Sequence, residues 1–263
     1  MGTSAVVNPR HPDEVDRLDL QHFAFREALG ANFLAPVEAP SRVLDVGTGT
    51  GQWGFEVAHR FPGALVVGFD LVPGKPDPPP GYRHVRGNLL QGLPFRDGSF
   101  DFTHQRFLIW GIPVAAWPEV VAELVRVTRP GGWIELTEIP TELRQAGPST
   151  ERLFALFLQI AGSQGLDTEG IVFRSLDDYL RRAGLEEVRR RELSLPVGEW
   201  GGQVGSFMAT DFRAAGMRIC EVLRARSSAT ADEAEELLQR SLEEWERHHT
   251  VWPVAIAHGR KPT

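Results

Sequence analysis

The chain has 263 residues, 42% of them apolar and 24% charged, the balance of an ordinary globular protein with enough length for one large core or for a domain and a cap. A formal charge of −7 gives no basic footprint for nucleic acid, and a single cysteine, Cys220, excludes an intrachain disulfide framework and a cysteine-rich metal centre. No apolar run approaches a membrane span and the first residues begin no signal peptide, so the expectation is a cytosolic protein without a membrane partner.

Residues 1–12 are polar and contain proline, a loose lead-in. From Asp13 the apolar residues Val15, Leu18, Leu20, Phe23, Phe25, Leu29 and Phe33 recur at three- and four-residue steps, the pattern of an amphipathic helix. The same stretch holds the polar residues Arg17, Asp19, Gln21 and His22. Next, Arg42-Val43-Leu44-Asp45-Val46 runs into Gly47-Thr48-Gly49-Thr50-Gly51 and then a helical pattern through Trp53 and Gly54. Strand, tight turn and helix in that order open a doubly wound α/β domain. Residues 49–54 also spell the G-x-G-x-x-G of dinucleotide sites, where a pyrophosphate would sit at the helix N-terminus. Asp45 would be a poor neighbour for those phosphates. A carboxylate at that strand end suits a ligand with a positive group and no phosphate there, and S-adenosylmethionine, with its ammonium and sulfonium, is such a ligand.

Residues 65–70 form a second buried strand ending in Asp70, which lies 21 positions after Gly49. An acid at that spacing suits the hydroxyls of an adenosyl ribose, a device that nicotinamide enzymes share. The proline-dense stretch 72–81 precludes a crossover helix and predicts an extended loop. A short third strand spans 82–86, followed by Gly87-Asn88-Leu89. After a Pro-Phe and Asp-Gly-Ser turn, a fourth strand carries His104, Gln105 and Arg106 at its C-terminal end, the side on which open α/β sheets bind ligands. An amphipathic helix over 117–127, an Arg-Pro-Gly-Gly turn and a fifth strand over 133–138 complete this part; its last residue, Glu138, reads either as an acid pointing into the substrate cavity or as a solvated strand end. Beyond it the patterns predict helices at 149–165 and 176–183 and strands at 185–195 and 251–259. Helical patterns near 203–225 and 231–249 lie between those two strands, read most economically as a lid over the substrate. That insertion contains Trp200, Phe207, Met208, Phe212 and Met217, which suit either an apolar substrate or helix packing, and His248-His249 lacks further ligands nearby, so no metal is expected.

The Asp-x-Gly-x-Gly-x-Gly of residues 45–51 resembles motif I of class I S-adenosylmethionine-dependent methyltransferases. Asp16-Arg17-Leu18-Asp19-Leu20-Gln21-His22, Phe100-Asp101-Phe102-Thr103-His104-Gln105-Arg106, Pro130-Gly131-Gly132-Trp133, Trp252-Pro253-Val254 and Gly259-Arg260-Lys261-Pro262 extend the likeness to the LaeA-like group linked to secondary metabolism. The resemblance implies an α/β fold, a Rossmann-like doubly wound sheet of seven strands, six parallel and the last antiparallel, with helical lid insertions. It divides the chain into an N-terminal cap (1–35), a cofactor core (36–140) and a C-terminal part (141–263) with the lid at about 198–250. It assigns the cofactor to Arg17, Asp45, Gly47, Thr48, Gly49, Gly51, Trp53, Asp70, Leu71, Asn88, Leu89 and Gln105. Arg17 would meet the cofactor carboxylate and Asn88 the adenine amine, and the product would be S-adenosylhomocysteine. A small, largely apolar organic acceptor would be methylated on O, N or C, with His104 and then His22 as candidate bases for a hydroxyl acceptor. A cofactor-binding regulator or non-methylating catalyst is the alternative. A nicotinamide oxidoreductase would share the glycines and Asp70 but not Asp45. The oligomeric state stays open, with a homodimer among the options.

Overall fold

The computed structural model describes residues 12–225 and 228–263; the lead-in at 1–11 lies outside them. In chain order the elements are α1 (Pro12–Leu29), β1 (Arg42–Val46), α2 (Gln52–Arg60), β2 (Leu65–Asp70), β3 (Tyr82–Arg86), β4 (Phe100–Arg106), α3 (Trp117–Val127), β5 (Thr128–Glu138), α4 (Pro148–Gly162), α5 (Ile171–Arg174), α6 (Leu176–Arg182), β6 (Glu186–Pro196), α7 (Gly202–Arg224), α8 (Ser228–His248) and β7 (Val251–Arg260). The strands form one seven-stranded sheet in the order β3-β2-β1-β4-β5-β7-β6. β1 pairs in parallel with β2 and β4, β2 with β3 and β4 with β5, whereas β7 runs antiparallel to β5. The expected Rossmann-like sheet, with its antiparallel last strand, is the one observed.

The chain divides into two compact units. One, the sheet unit, comprises residues 31–139, 171–192 and 255–263; the other, the helical unit, comprises the described residues up to Gly30 together with 140–170 and 193–254.

In the sheet unit the central strands are apolar on both faces, as buried parallel strands must be, and Val43, Leu44, Val46, Val66 and Phe102 are fully enclosed. Phe33, Trp53, Val57, Tyr82 and Phe102 belong to a single core cluster at β1. The first helix is shorter than the periodicity predicts. Gly30, at φ 71°, donates back to Arg26 O and closes α1 as a left-handed cap, so Phe33 leaves the helix and joins that core. The crossover from β2 to β3 carries no helix, as its prolines dictate. His84 Nε2 to Val72 O (2.9 Å), Arg86 Nε to Leu71 O (3.0 Å) and Gly87 N to Asp70 O (2.8 Å) tie its ends to β3. β5 begins at Thr128, earlier than expected. A bulge lies opposite Phe100 and Phe102, which pair with Thr128 and Trp133 and absorb the Arg-Pro-Gly-Gly turn between them. The closing Lys261 donates from Nζ to Val125 O (2.7 Å), in the last turn of α3, and to Thr128 O (2.8 Å), its C-cap residue, placing a cation at the helix C-terminus.

The helical unit packs α1 on α7, α7 on α8 and α8 on α4. Arg17 and Gln21 of α1 both donate to Asp211 of α7 (2.5 and 3.1 Å). Gly216 brings α7 close to α8, since a Cβ there would lie 2.6 Å from Leu238. Glu244 of α8 caps α4 by accepting from Ser149 N and Thr150 N, both at 2.9 Å. Of the apolar residues in the expected lid, Met208 is fully buried in the core of the helical unit, and half-buried Phe212 packs edge-on to Trp252 (5.0 Å). Trp200 and Met217 remain 37% and 53% exposed.

Candidate functional site

The site grows from the turn between β1 and α2. Gly47, Gly49 and Gly51 all take positive φ (70°, 54° and 85°), a left-handed path that favours glycine at each. Gly51 is the N-cap of α2 without a side-chain cap, so backbone N–H groups at that helix end are presented to whatever the loop receives. Space as well as conformation demands the first glycine: a Cβ on Gly47 would lie 2.4 Å from Leu108 Cδ2.

Two acids at neighbouring strand ends hold this loop. Asp45, 3% exposed, accepts from Thr48 Oγ1 (2.6 Å) on one oxygen and from His104 Nδ1 (2.8 Å) on the other. Asp70, at the end of β2, accepts from Gly49 N (2.8 Å) and Val72 N (3.1 Å), which lashes the second glycine to the next strand. Each carboxylate oxygen has two lone-pair directions, so Asp70 can hold the loop and still accept from ribose hydroxyls. Thr48 Oγ1 reaches on to Tyr82 Oη (3.1 Å). Burial pushes the Tyr82 phenol well above its ordinary pKa; the Thr48 bond opposes the shift, and the charges of Asp45 and Asp70 reinforce it.

His104 is 2% exposed and lies flat against Trp53, ring centroids 3.8 Å apart and planes at 4°. Burial lowers its pKa, opposed by the bond to Asp45 and helped by the charge of Arg106. The imidazole is therefore neutral near pH 7, with the Nδ1 proton donated to Asp45 and Nε2 left as the acceptor nitrogen. Trp53 itself is fixed by its indole N–H, which donates to Asn32 O (2.8 Å).

Of the residues expected at the cofactor, Asp45, Gly47, Thr48, Gly49, Gly51, Trp53 and Asp70 converge on this loop, and His104, expected as a base, joins them through Asp45 and Trp53. Leu71 follows Asp70 and is 48% exposed, and Leu89 opens a 3₁₀ turn (Leu89–Gln91) after β3. Asn88 caps that turn: its Oδ1 accepts from Leu90 N (3.0 Å), leaving one lone pair of the oxygen for an adenine amine. Gln105 is fully buried and donates from Nε2 to Glu138 Oε1 (2.8 Å). Arg17 and His22 belong to the helical unit, where Arg17 is paired with Asp211 and His22 is 2% exposed beside Phe23.

Sequence reasoning misses Tyr82 as a loop support, and Glu138 is not a solvated strand-end acid: it is fully buried and accepts from Gln105, Leu108 and Ile109. The signal for Tyr82 was Gly68, a glycine inside a buried strand, where a Cβ would lie 1.8 Å from the Tyr82 hydroxyl. Glu135 is also unanticipated. It is buried on β5 and accepts from Leu34 N (2.8 Å) and Ala35 N (2.6 Å); burial raises its pKa to about 7, against those bonds and the Arg106 charge. Among the described residues no cluster of potential metal ligands exists, and no helix is long and apolar enough to cross a membrane.

A family model described as a methyltransferase domain matches residues 43–132. The chain is 32% identical over 197 residues to the methyltransferase str2 of Strobilurus tenacellus, covering 70% of this chain and 69% of that protein. It is also 32% identical over 202 residues to the secondary metabolism regulator laeA of Aspergillus fumigatus, covering 73% of this chain and 53% of that protein. It thus spans between about half and two thirds of the length of these relatives. Among solved structures, phosphoethanolamine N-methyltransferase 2 of Haemonchus contortus, in complex with phosphomonomethylethanolamine and S-adenosylhomocysteine, shares the fold. The TM-score is 0.57 at 15% identity, covering 100% of this chain and 61% of that one.

Proposed function

Because the chain belongs to the class I S-adenosylmethionine-dependent methyltransferases, within the LaeA-like group of secondary metabolism, we propose that it moves a methyl group to an O, N or C nucleophile of a small, largely apolar organic acceptor. The observation that carries this reading is the glycine loop lashed by Asp45 and Asp70, an acid-flanked cradle that suits a cationic, phosphate-free adenosyl ligand. The bound cofactor supplies a methyl group on a sulfonium, which leaves readily without a protein acid.

The residues then have the work of alignment. Asp70 and the N–H groups of the glycine loop are assigned to the ribose and the amino-acid end of the cofactor, and Leu71, Asn88 and Leu89 to the adenine. Holding two partners in a near-attack geometry is worth on the order of 7–11 kcal/mol in favourable cases. For a hydroxyl acceptor His104 is the first candidate base: Asp45 fixes its tautomer and Nε2 is the free acceptor nitrogen, the relation of orienting acid to base. His22 is the second. The likeness to a secondary metabolism regulator favours one other reading, a protein that binds the cofactor and regulates without methylating. A nicotinamide cofactor is disfavoured because Asp45 would face its pyrophosphate.

The test is calorimetric titration of cofactor-stripped protein with S-adenosylmethionine and S-adenosylhomocysteine. Both should bind, and Asp70→Ala should weaken both by about tenfold or more, the loss of a charged hydrogen-bond acceptor. Incubation with an acceptor library should then release S-adenosylhomocysteine. Binding without turnover over a broad library would favour the regulator, and tight NAD binding with no S-adenosylmethionine binding would refute both.

A further inference from the structure

Glu138 closes β5 and is fully buried, yet none of the chemistry above uses it. Its carboxylate gathers donors from one short segment. Oε1 accepts from Leu108 N (2.7 Å) and from Gln105 Nε2 (2.8 Å), and Oε2 accepts from Ile109 N (3.2 Å). These belong to the end of β4 and the turn beyond it, where Phe107 is held at φ 57°, an uncommon conformation for a bulky residue. Phe107 N donates to Thr137 O (2.9 Å), so the last two residues of β5 hold three successive backbone N–H groups of the turn. Leu108 O in turn accepts from Gly111 N (2.8 Å) and Ile112 N (3.1 Å). The held turn delivers one side chain to the cofactor loop. Leu108 occupies the space beside Gly47, with three of its carbons 2.4–2.8 Å from where a Cβ of residue 47 would be.

We propose that Glu138 is a positioning residue for methyl transfer, tethering the 107–109 turn so that Leu108 closes over the first glycine of the cofactor loop. The physical grounds are these. A non-glycine residue at positive φ costs about 1–3 kcal/mol and persists only where surrounding bonds over-determine it. A carboxylate that accepts two consecutive backbone N–H groups supplies that constraint. Burial raises the Glu138 pKa to about 8, while the bonds from Leu108, Ile109, Gln105 and Ile139 favour the charged form, the one that can accept from all of them. An apolar residue would fill that space at lower cost; the acid brings the tether.

This inference rests on the cofactor reading, and its test separates the two. Glu138→Gln keeps shape but places an amide N–H against one of the backbone donors. Amide hydrogen exchange at whichever of Leu108 and Ile109 faces the new amide should accelerate by about tenfold or more as its bond is lost. The affinity for S-adenosylhomocysteine should fall about tenfold, the equivalent of one lost buried hydrogen bond. Leu108→Ala leaves every Glu138 bond in place, because all of those from the turn use backbone groups, and should weaken binding to a similar degree. The double variant should be no weaker than either single one, since Glu138 acts through Leu108. Additive losses, which a merely structural role predicts, would overturn the proposal. So would wild-type affinity in Leu108→Ala, which tests the same contact should Glu138→Gln fail to fold. A wild-type chain that does not bind S-adenosylhomocysteine would remove the cofactor reading, and the proposal with it.

Discussion

The Asp45 carboxylate offers the sharpest quantitative test, because both of its oxygens are engaged inside the protein. Asp45→Ala removes the acceptor of His104 Nδ1, on a ring that is 2% exposed and covered on one face by Trp53. A buried donor left without a partner costs about 1–3 kcal/mol. Thr48 loses its 2.6 Å bond as well, but its hydroxyl keeps Tyr82, so that loss is of the order of 1 kcal/mol. Removing a buried carboxylate also releases its desolvation cost, which offsets part of the sum. The net expectation is a loss of about 1–3 kcal/mol. For a chain of this size, that lowers the thermal midpoint by roughly 2–12 °C. The assay is ligand-free thermal unfolding at pH 7.5 of wild type, Asp45→Ala, His104→Ala and the double variant. A coupling of about 1 kcal/mol or more between the two sites is expected for groups in direct contact. Midpoints that add without coupling, or an Asp45→Ala midpoint within about 2 °C of wild type, would refute the argument that Asp45 is first a support of the loop.

Other perturbations follow from the same geometry. Gly68→Ala puts a methyl 1.8 Å from the Tyr82 hydroxyl and 2.8 Å from Thr48 Cγ2, so it should cost about 1–3 kcal/mol by overpacking and weaken cofactor binding, both read by melting with and without S-adenosylhomocysteine. Glu135, with its pKa raised to about 7, binds a proton in the folded state that the unfolded chain has already lost between about pH 4.5 and 7. Its contribution is fully present below that window and is lost as pH rises through it, by up to about 1.4 kcal/mol per unit; Glu135→Gln should flatten that slope in denaturant melts across the window. Asp211→Ala removes the shared acceptor of Arg17 and Gln21 and should destabilise the helical unit by about 3–5 kcal/mol, measured as earlier unfolding of α1 and α7 by hydrogen exchange.

What the sequence discloses here is what is local. A strand that ends in an acid, alternating glycines and a helix are neighbours along the chain, so the loop at 45–54 and the acid at 70 are legible without coordinates, and the prolines at 72–81 rule out a helix wherever the chain goes next. Supports that reach across strands are not legible. Tyr82 meets Thr48 because Gly68 on the intervening strand lacks a side chain, and Glu138 meets Leu108 because Phe107 turns at positive φ. The pairing of Arg17 with Asp211, 194 residues apart, depends on how two helices dock. Element ends suffer for the same reason: periodicity carries the first helix on to Phe33, while the cap at Gly30 and the aromatic core that claims Phe33 are tertiary facts.

The acids of this sheet share one device. Asp70, Glu135 and Glu138 each turn a carboxylate onto backbone N–H groups of an adjoining loop, and Asp45 does the same through a threonine and a histidine. A loop lined with N–H donors at a helix start would otherwise be free to collapse onto water or an anion. At that loop Asp70 satisfies the Gly49 N–H and Asp45 holds Thr48, and the two charges disfavour a phosphate beside it. That arrangement selects for a cationic adenosyl ligand before any direct contact is made. It also explains why a methyltransferase can work with few reacting side chains: the leaving group is intrinsic to the cofactor, and the barrier left for the protein is one of position. Substitution of a supporting acid should therefore lower stability and cofactor affinity together, whereas substitution of a true base should lower turnover alone. His104 sits on both lists, bound to Asp45 through Nδ1 and with Nε2 as its acceptor nitrogen. His104→Asn, which can still donate toward Asp45, separates them: cofactor affinity near wild type with turnover reduced about a hundredfold or more marks a base, and loss of both marks a support.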